Sequence, residues 1–199
     1  KGLSEFAEYA DNPGQRGFYK TKDAQAVFRP VSLRETDLGL QYGNESAITT
    51  QFKKDIDRLR DQIIGPFRTT AETENTPAAW NTLGITAARV GDYVLARYAF
   101  EKALKLDPKH IGAQLNLANL FVIGEDFAAA LAAYQKAEKA ASAADSGVSQ
   151  SNLFRIQIGI AKSQFALGNM DAAKAAYAKA VEIDPEKAAE YAYLGGEGE

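Results

Sequence analysis

The sequence predicts an all-α chain of repeated helix pairs, with a different kind of region in front of them. Three observations predict it. Residues of one type recur at one spacing: Leu83 to Leu117, Phe100 to Tyr134 and Ala103 to Ala137 are each 34 residues apart. The next step is longer by the same amount at every position, since Leu117 to Ile160, Tyr134 to Tyr177 and Ala137 to Ala180 are each 43, and Ile160 to Leu194 returns to 34. Within each period two stretches carry apolar residues at three- and four-residue spacing, parted by a turn that contains glycine. A shared period of this size marks stacked supersecondary units.

Residues 1–43 do not follow the repeat. They hold Phe6, Tyr9, Phe18, Tyr19 and Phe28, with Pro13 and Pro30 as breakers and a turn signal at Asn12-Pro13-Gly14. Gly17–Thr21 and Ala26–Leu33 read as short strands, the second at an edge or irregular because of Pro30. The segment reads as an arm packed on the repeats, as the remnant of a preceding domain, or as a piece that reaches a second molecule. Residues 44–66 read as one amphipathic helix. Ile48, Phe52, Ile56, Leu59 and Ile63 form its apolar stripe, and Gly65-Pro66 is expected to end it. Phe67–Asn75 then serves as a linker. Such a helix caps the exposed end of a helical stack or pairs with a second copy.

The repeat region spans 77–195. Its units are 77–110, 111–144 and 154–187, followed by a half unit at 188–195. In the first, Thr76 caps a helix that starts at Pro77, and Trp80, Leu83 and Ala87 share one face. Gly91 ends that helix and Asp92 caps the next, whose inner face carries Tyr93, Ala96, Phe100 and Ala103. Asp107-Pro108 closes the unit. The second unit repeats this with Leu117, Ala118 and Phe121, a turn at Gly124, then Phe127, Ala130, Tyr134 and Ala137. The third has Ile160, Ala161 and Gln164, a turn at Gly168, then Met170, Ala173, Tyr177 and Ala180, and Asp184-Pro185. The nine extra residues are expected in the loop around Ser142–Ser151, with one of them at Glu125. Small residues at Gly84, Ala118 and Ala161, and at Ala96, Ala130 and Ala173, let helices approach closely while aromatic rings fill the space beside them.

Trp80, Leu83, Gly84, Tyr93, Ala96, Phe100, Ala103 and Pro108 together resemble the tetratricopeptide repeat family. The departures are Gln114 and Gln157 at the first aromatic position and Ser142 where the second unit's proline belongs. The resemblance implies a right-handed α-solenoid whose first helices line a concave groove for an extended peptide or a partner helix. On that footing the groove residues are Asn81, Ile85, Ala88 and Arg89, then Leu115, Asn116, Asn119 and Val122, then Arg155, Ile158, Lys162 and Phe165. Asn116 and Asn119 offer amide donors and acceptors to a peptide backbone. Arg155 and Lys162, seven residues apart on one helical face, suit an acidic group. The terminal-carboxylate clamp of some members is incomplete, since Ala78 and Thr82 stand at its first-unit positions. The apolar candidates suit a ligand with an apolar face.

The remaining composition narrows function. With 46% hydrophobic and 25% charged residues and a net charge of -3, the chain lacks the basic field of a nucleic-acid binder. No run of about 18 apolar residues spans a membrane. Cysteine is absent, which removes disulfides and thiol chemistry. His110 is the one histidine and reads as a surface residue. No phosphate-cradling loop or nucleophile triad is legible. The chain starts at Lys1 and finishes on Gly195-Gly196-Glu197-Gly198-Glu199, which reads as a trimmed protein or a fragment. The expectation is a non-catalytic protein-interaction scaffold with no cofactor and no metal, in the cytoplasm or periplasm. The competing expectations are an accessory module of a larger enzyme or transport assembly, and a self-associating structural unit.

Overall fold

A computed structural model describes residues 47–143 and 147–196. The expected arm at 1–43, with its two candidate strands, lies outside the described residues. All regular structure among the described residues is helical. In chain order it comprises α1 (Ala47–Glu74), α2 (Pro77–Arg89), α3 (Tyr93–Leu106), α4 (Ile111–Ile123), α5 (Phe127–Ala141), α6 (Gln150–Ala166), α7 (Met170–Ile183), α8 (Pro185–Ala188) and a terminal 3-10 segment, Ala189–Gly195. None of these helices is long and apolar enough to cross a membrane. The described residues fall into two compact units that divide between Ala99 and Phe100.

In the first unit α1 is longer than the sequence implied. It does not stop at Gly65-Pro66 but runs on to Glu74, so the expected linker is helix. A proline inside a helix removes one backbone hydrogen bond and crowds the preceding turn. Here burial continues on both sides of it, with Ile56, Leu59, Ile63 and Ile64 before Pro66 and Ala71 after. The hydroxyls of Thr69 and Thr70 donate to the carbonyls of Gly65 and Pro66, at 3.1 and 3.0 Å. Ile48, placed on the buried stripe by its spacing, is 52% exposed. The helix packs against α2, and Arg60 Nε donates to the Val90 carbonyl at 3.1 Å.

A two-residue turn separates α1 from α2. Asn75 takes a left-handed φ of 46°, which asparagine tolerates better than most residues. Its N–H donates to the Ala71 carbonyl at 3.0 Å, and its side-chain oxygen accepts from Trp80 Nε1 at 2.9 Å. Thr76 caps α2 as expected, accepting from the Ala79 N–H. Trp80 also meets Tyr98 edge-on, with ring centroids 5.9 Å apart.

In the second unit α4 packs on α5, α5 on α6 and α6 on α7, while α4 and the terminal segment each touch α6. The core runs from Leu115, Ala118 and Tyr134 through Phe154, Ile156 and Ala161 to Ala180 and Leu194. The alanines expected at close approaches, Ala118, Ala130, Ala161 and Ala173, are fully enclosed. Two contacts of ring on glycine hold successive elements together. A Cβ built on Gly159 of α6 would lie 2.3 Å from Tyr134 Cε1. One built on Gly195 would lie 2.9 Å from Tyr177 Cε1.

Two expectations about register need correction. The turn between α4 and α5 holds no inserted residue. Glu125 stands where Gly91 stands in the first repeat, and both are left-handed, at φ 58° and 80°, as is Gly168 at 81°. The expected shift at Gly124 misread this alignment, because Gly124 is the C-cap of α4 with an ordinary φ of -84°. The nine extra residues are also not all loop. Judged against α3 and α4, one lengthens α5, four lengthen the connection, and four add a turn at the start of α6. Ser149 caps that extra turn, its hydroxyl accepting from the Asn152 N–H at 3.2 Å. After α7 a short helix starts at Pro185 with Asp184 as its cap, and the terminal segment bends at Tyr191 (φ -121°).

Candidate partner-binding face

One position of the first helix, where the repeat pattern calls for an aromatic residue, is buried in all three repeats. Trp80, Gln114 and Gln157 occupy it, and each is 7% exposed. A buried N–H needs an acceptor, and each repeat supplies a different one. Trp80 Nε1 uses Asn75. Gln114 Nε2 donates to the Pro108 carbonyl at 2.7 Å, and Gln157 Nε2 to Glu138 Oε1 at 2.9 Å. Glu138 also receives Lys179 Nζ at 3.3 Å, so α5, α6 and α7 meet at one carboxylate. Gln114 and Gln157 are therefore anchors, although the sequence marks them only as departures from a pattern. His110 proves to be structural too: it is the N-cap of α4, its Nδ1 accepting from the Ala113 N–H at 3.0 Å.

In the first unit the candidates Asn81, Ile85, Ala88 and Arg89 are all half-buried on α2. Burial lowers the pKa of the Arg89 guanidinium from its ordinary value.

In the second unit two candidates leave the site. Leu115 is fully buried and Ile158 is 5% exposed. Each lies three residues before a close-packing alanine, Ala118 or Ala161, and so shares the face that turns into the core. Val122 remains half-buried.

The polar candidates come together. Arg155 on α6 reaches α4, its Nη2 donating to Asn116 Oδ1 at 3.2 Å, while Nη1 donates to Asn152 Oδ1 at 3.4 Å. Asn119, exposed one turn along α4, accepts from the Tyr134 hydroxyl through Oδ1. Burial pushes the Tyr134 phenol up to about 12, opposed by the positive charge of Arg155. Burial likewise lowers the Arg155 guanidinium, with Tyr134 acting the other way. Sequence reasoning placed Tyr134 only in the core, and its hydroxyl shows no signal in the spacing.

Further along α6 the candidates meet the terminal segment. Lys162 Nζ lies 4.1 Å from the centre of the Tyr191 ring, and burial lowers its pKa. Phe165 meets Tyr193 edge-on at 5.5 Å, and both rings stay partly in water, at 38% and 48% exposure. One layer of the second unit, formed by α4, α6 and the terminal segment, thus presents amides, two cations and an aromatic pair in that order.

Comparison with known proteins agrees with this architecture. Residues 77–110 and residues 154–187 each match a tetratricopeptide repeat model. A solved structure described as the MamA RS-1 ArsTM double mutant is 23% identical, with a TM-score of 0.52 over 82% of this chain and 77% of that one. The MamA protein in another crystal structure is 17% identical, with a TM-score of 0.54 over 94% of both chains. A thermophilic TPR protein of Thermus thermophilus is 14% identical, with a TM-score of 0.55 over 98% of this chain and 94% of that one. At these identities the likeness is one of fold. No curated protein matches the sequence.

Proposed function

Because the chain carries tetratricopeptide repeats, we propose that it is a non-catalytic scaffold that holds a peptide segment or partner helix on the layer formed by α4, α6 and the terminal segment. One observation carries this reading. Asn116, Asn119 and Arg155 are held in place by hydrogen bonds to one another's helices or to Tyr134, yet Asn119 and Arg155 remain exposed. Polar groups fixed by their neighbours and open to solvent lose little freedom when a partner arrives. Asn81, Ile85 and Arg89, all on α2, are a separate candidate set in the first unit. A photoreactive residue at Asn119 tests it in the source cells. A crosslink to a partner protein, absent when the same residue is placed at the outward-facing Lys136 of α5, supports the reading. Equal crosslinking at both positions removes it.

A second reading is self-association. The exposed Phe165 and Tyr193 rings, with Leu167 and Met170 also exposed, favour a contact between copies at the end of the second unit. Sedimentation across a wide concentration range separates the two, since a strictly monomeric chain leaves only the first. The accessory-module reading rests on residues 1–43, outside the described residues.

A further inference from the structure

The second unit has a polar end and an apolar end. Asn116 of α4 meets Arg155 of α6, and Asn119 and Gly159, further along each helix, both meet Tyr134. The contacts advance in the same order, so α4 and α6 run side by side in the same sense. Their last turns, and the connections into α5 and α7, therefore emerge at one end. The ion pairs Lys179–Glu138 and Lys187–Asp184 sit at the other.

The first end is apolar. Ile123 closes α4 and, at 56%, is the most exposed large apolar side chain of the second unit among the described residues. Leu167 and Met170, on either side of the α6–α7 turn, are exposed at the same end. Packed helices lie about 8–10 Å apart, so the two turns are neighbours. Single exposed apolar residues are ordinary, but several gathered on adjacent turns mark a contact surface.

The same turns carry acids and no bases. Glu125, Asp126 and Asp171 are exposed, and neither 121–127 nor 163–173 contains a lysine or arginine. The flanking Lys162 and Lys174 both turn to the terminal segment: Lys162 lies on the Tyr191 ring, and the Lys174 chain passes over Gly196. Asp126 also caps α5 through Oδ1. Glu125 keeps a side chain at a left-handed φ of 58°, where the corresponding turns have glycine. Strained positions of this kind collect where a side chain is used.

We propose that this end docks a basic amphipathic helix of a partner protein. Its apolar face lies on Ile123, Leu167 and Met170, and its lysines or arginines face Glu125 and Asp171. The site lies at the end of the unit rather than across the layer of α4, α6 and the terminal segment, and it does not depend on that layer holding a ligand. Charge selects the occupant. A two-fold contact between copies would set these carboxylates against their own counterparts. A bilayer with anionic headgroups would repel them.

The test uses two synthetic amidated helices with the same leucine face, one with lysine and the other with glutamate on its polar face. Each is titrated against the full chain by fluorescence anisotropy. The lysine helix should bind, the glutamate helix should not, and salt should weaken binding. Ile123→Ser and Leu167→Ser should each weaken it about tenfold. Val94→Ser, at a still more exposed apolar residue of the first unit, should leave it unchanged. The double variant Glu125→Lys, Asp171→Lys should bind the glutamate helix instead. Equal binding of the two helices, binding of neither, or lysine-helix binding that both serine variants retain overturns the inference. Binding lost on Asn119→Ala but kept by the serine variants moves the helix to the layer, which overturns this site and leaves the scaffold reading. A dimer in sedimentation that Ile123→Ser abolishes gives this end to a second copy. Pelleting with phosphatidylcholine vesicles that Ile123→Ser abolishes gives it to a lipid surface. Either outcome overturns the proposal.

Discussion

The ring of Tyr134 occupies the space that a side chain on Gly159 would need, with Tyr134 Cε1 only 2.3 Å from the position of a Cβ there. The contact joins the second helix of one repeat to the first helix of the next. Gly159→Ala therefore forces the ring or α6 to move. Overpacking of this kind costs about 1–3 kcal/mol. Urea denaturation should show that loss, and Tyr134→Ala should relieve it in the double variant, so that the two changes are non-additive. A Gly159→Ala protein as stable as the parent removes the close contact from the account.

Glu125 holds a left-handed φ of 58° where the other two turns use glycine. A side chain there strains the backbone, whereas glycine does not. Glu125→Gly relieves a left-handed cost of about 1–2 kcal/mol and adds about 0.5–1 kcal/mol of lost chain freedom, so a net gain of about 0.5–1 kcal/mol is expected, read as a higher denaturation midpoint. Gly91→Ala, the reverse change in the first repeat, should lower it.

Asn75 has two duties, the left-handed turn after α1 and the acceptor for Trp80. Asn75→Gly keeps the first and loses the second, while Asn75→Ala loses both. Stability should fall in the order Asn, Gly, Ala. The buried indole N–H left without its partner costs about 1–3 kcal/mol. Trp80 fluorescence reports the change directly.

Burial pushes the Tyr134 phenol up to about 12 in the folded chain, from an ordinary value of 10.0. Its folded pKa is raised, so its contribution is complete below pH 10 and is lost as pH climbs from about 10 to about 12, where the unfolded chain gives up the proton first. Thermal melts across that window should show a fall that Tyr134→Phe reduces. An equal fall in the variant assigns the alkaline loss to other groups.

The period of the repeats was legible because it is carried by many side chains at once. Leu83, Phe100 and Ala103 each repeat at the same offset, and all three are buried. Boundaries set by a single residue were less legible. Pro66 reads as a stop, but the burial of Ile63, Ile64 and Ala71 around it outweighs one lost hydrogen bond. Glu125 misled the alignment because glycine marks this turn in two repeats and conformation, not residue type, marks it in the third. At the candidate site, the sequence named Asn116 and Arg155 but not their 3.2 Å contact across two helices. Leu115 and Ile158 were placed in the site because helical phase alone does not say how far the next element reaches over a face. The roles of Gln114 and Gln157 depend on acceptors 6 and 19 residues away, and no local pattern points to them.

The three acceptors for Trp80, Gln114 and Gln157 also limit how this array can be rebuilt. Repeats that share a period invite recombination, as though any unit were an interchangeable brick. Moving the third unit behind a different neighbour would separate Gln157 from Glu138, and moving the first without Asn75 would strand the indole. Each repeat is thus matched to the chain that precedes it, and a shuffled or consensus-averaged version would need to carry each anchor and its acceptor as one inherited block.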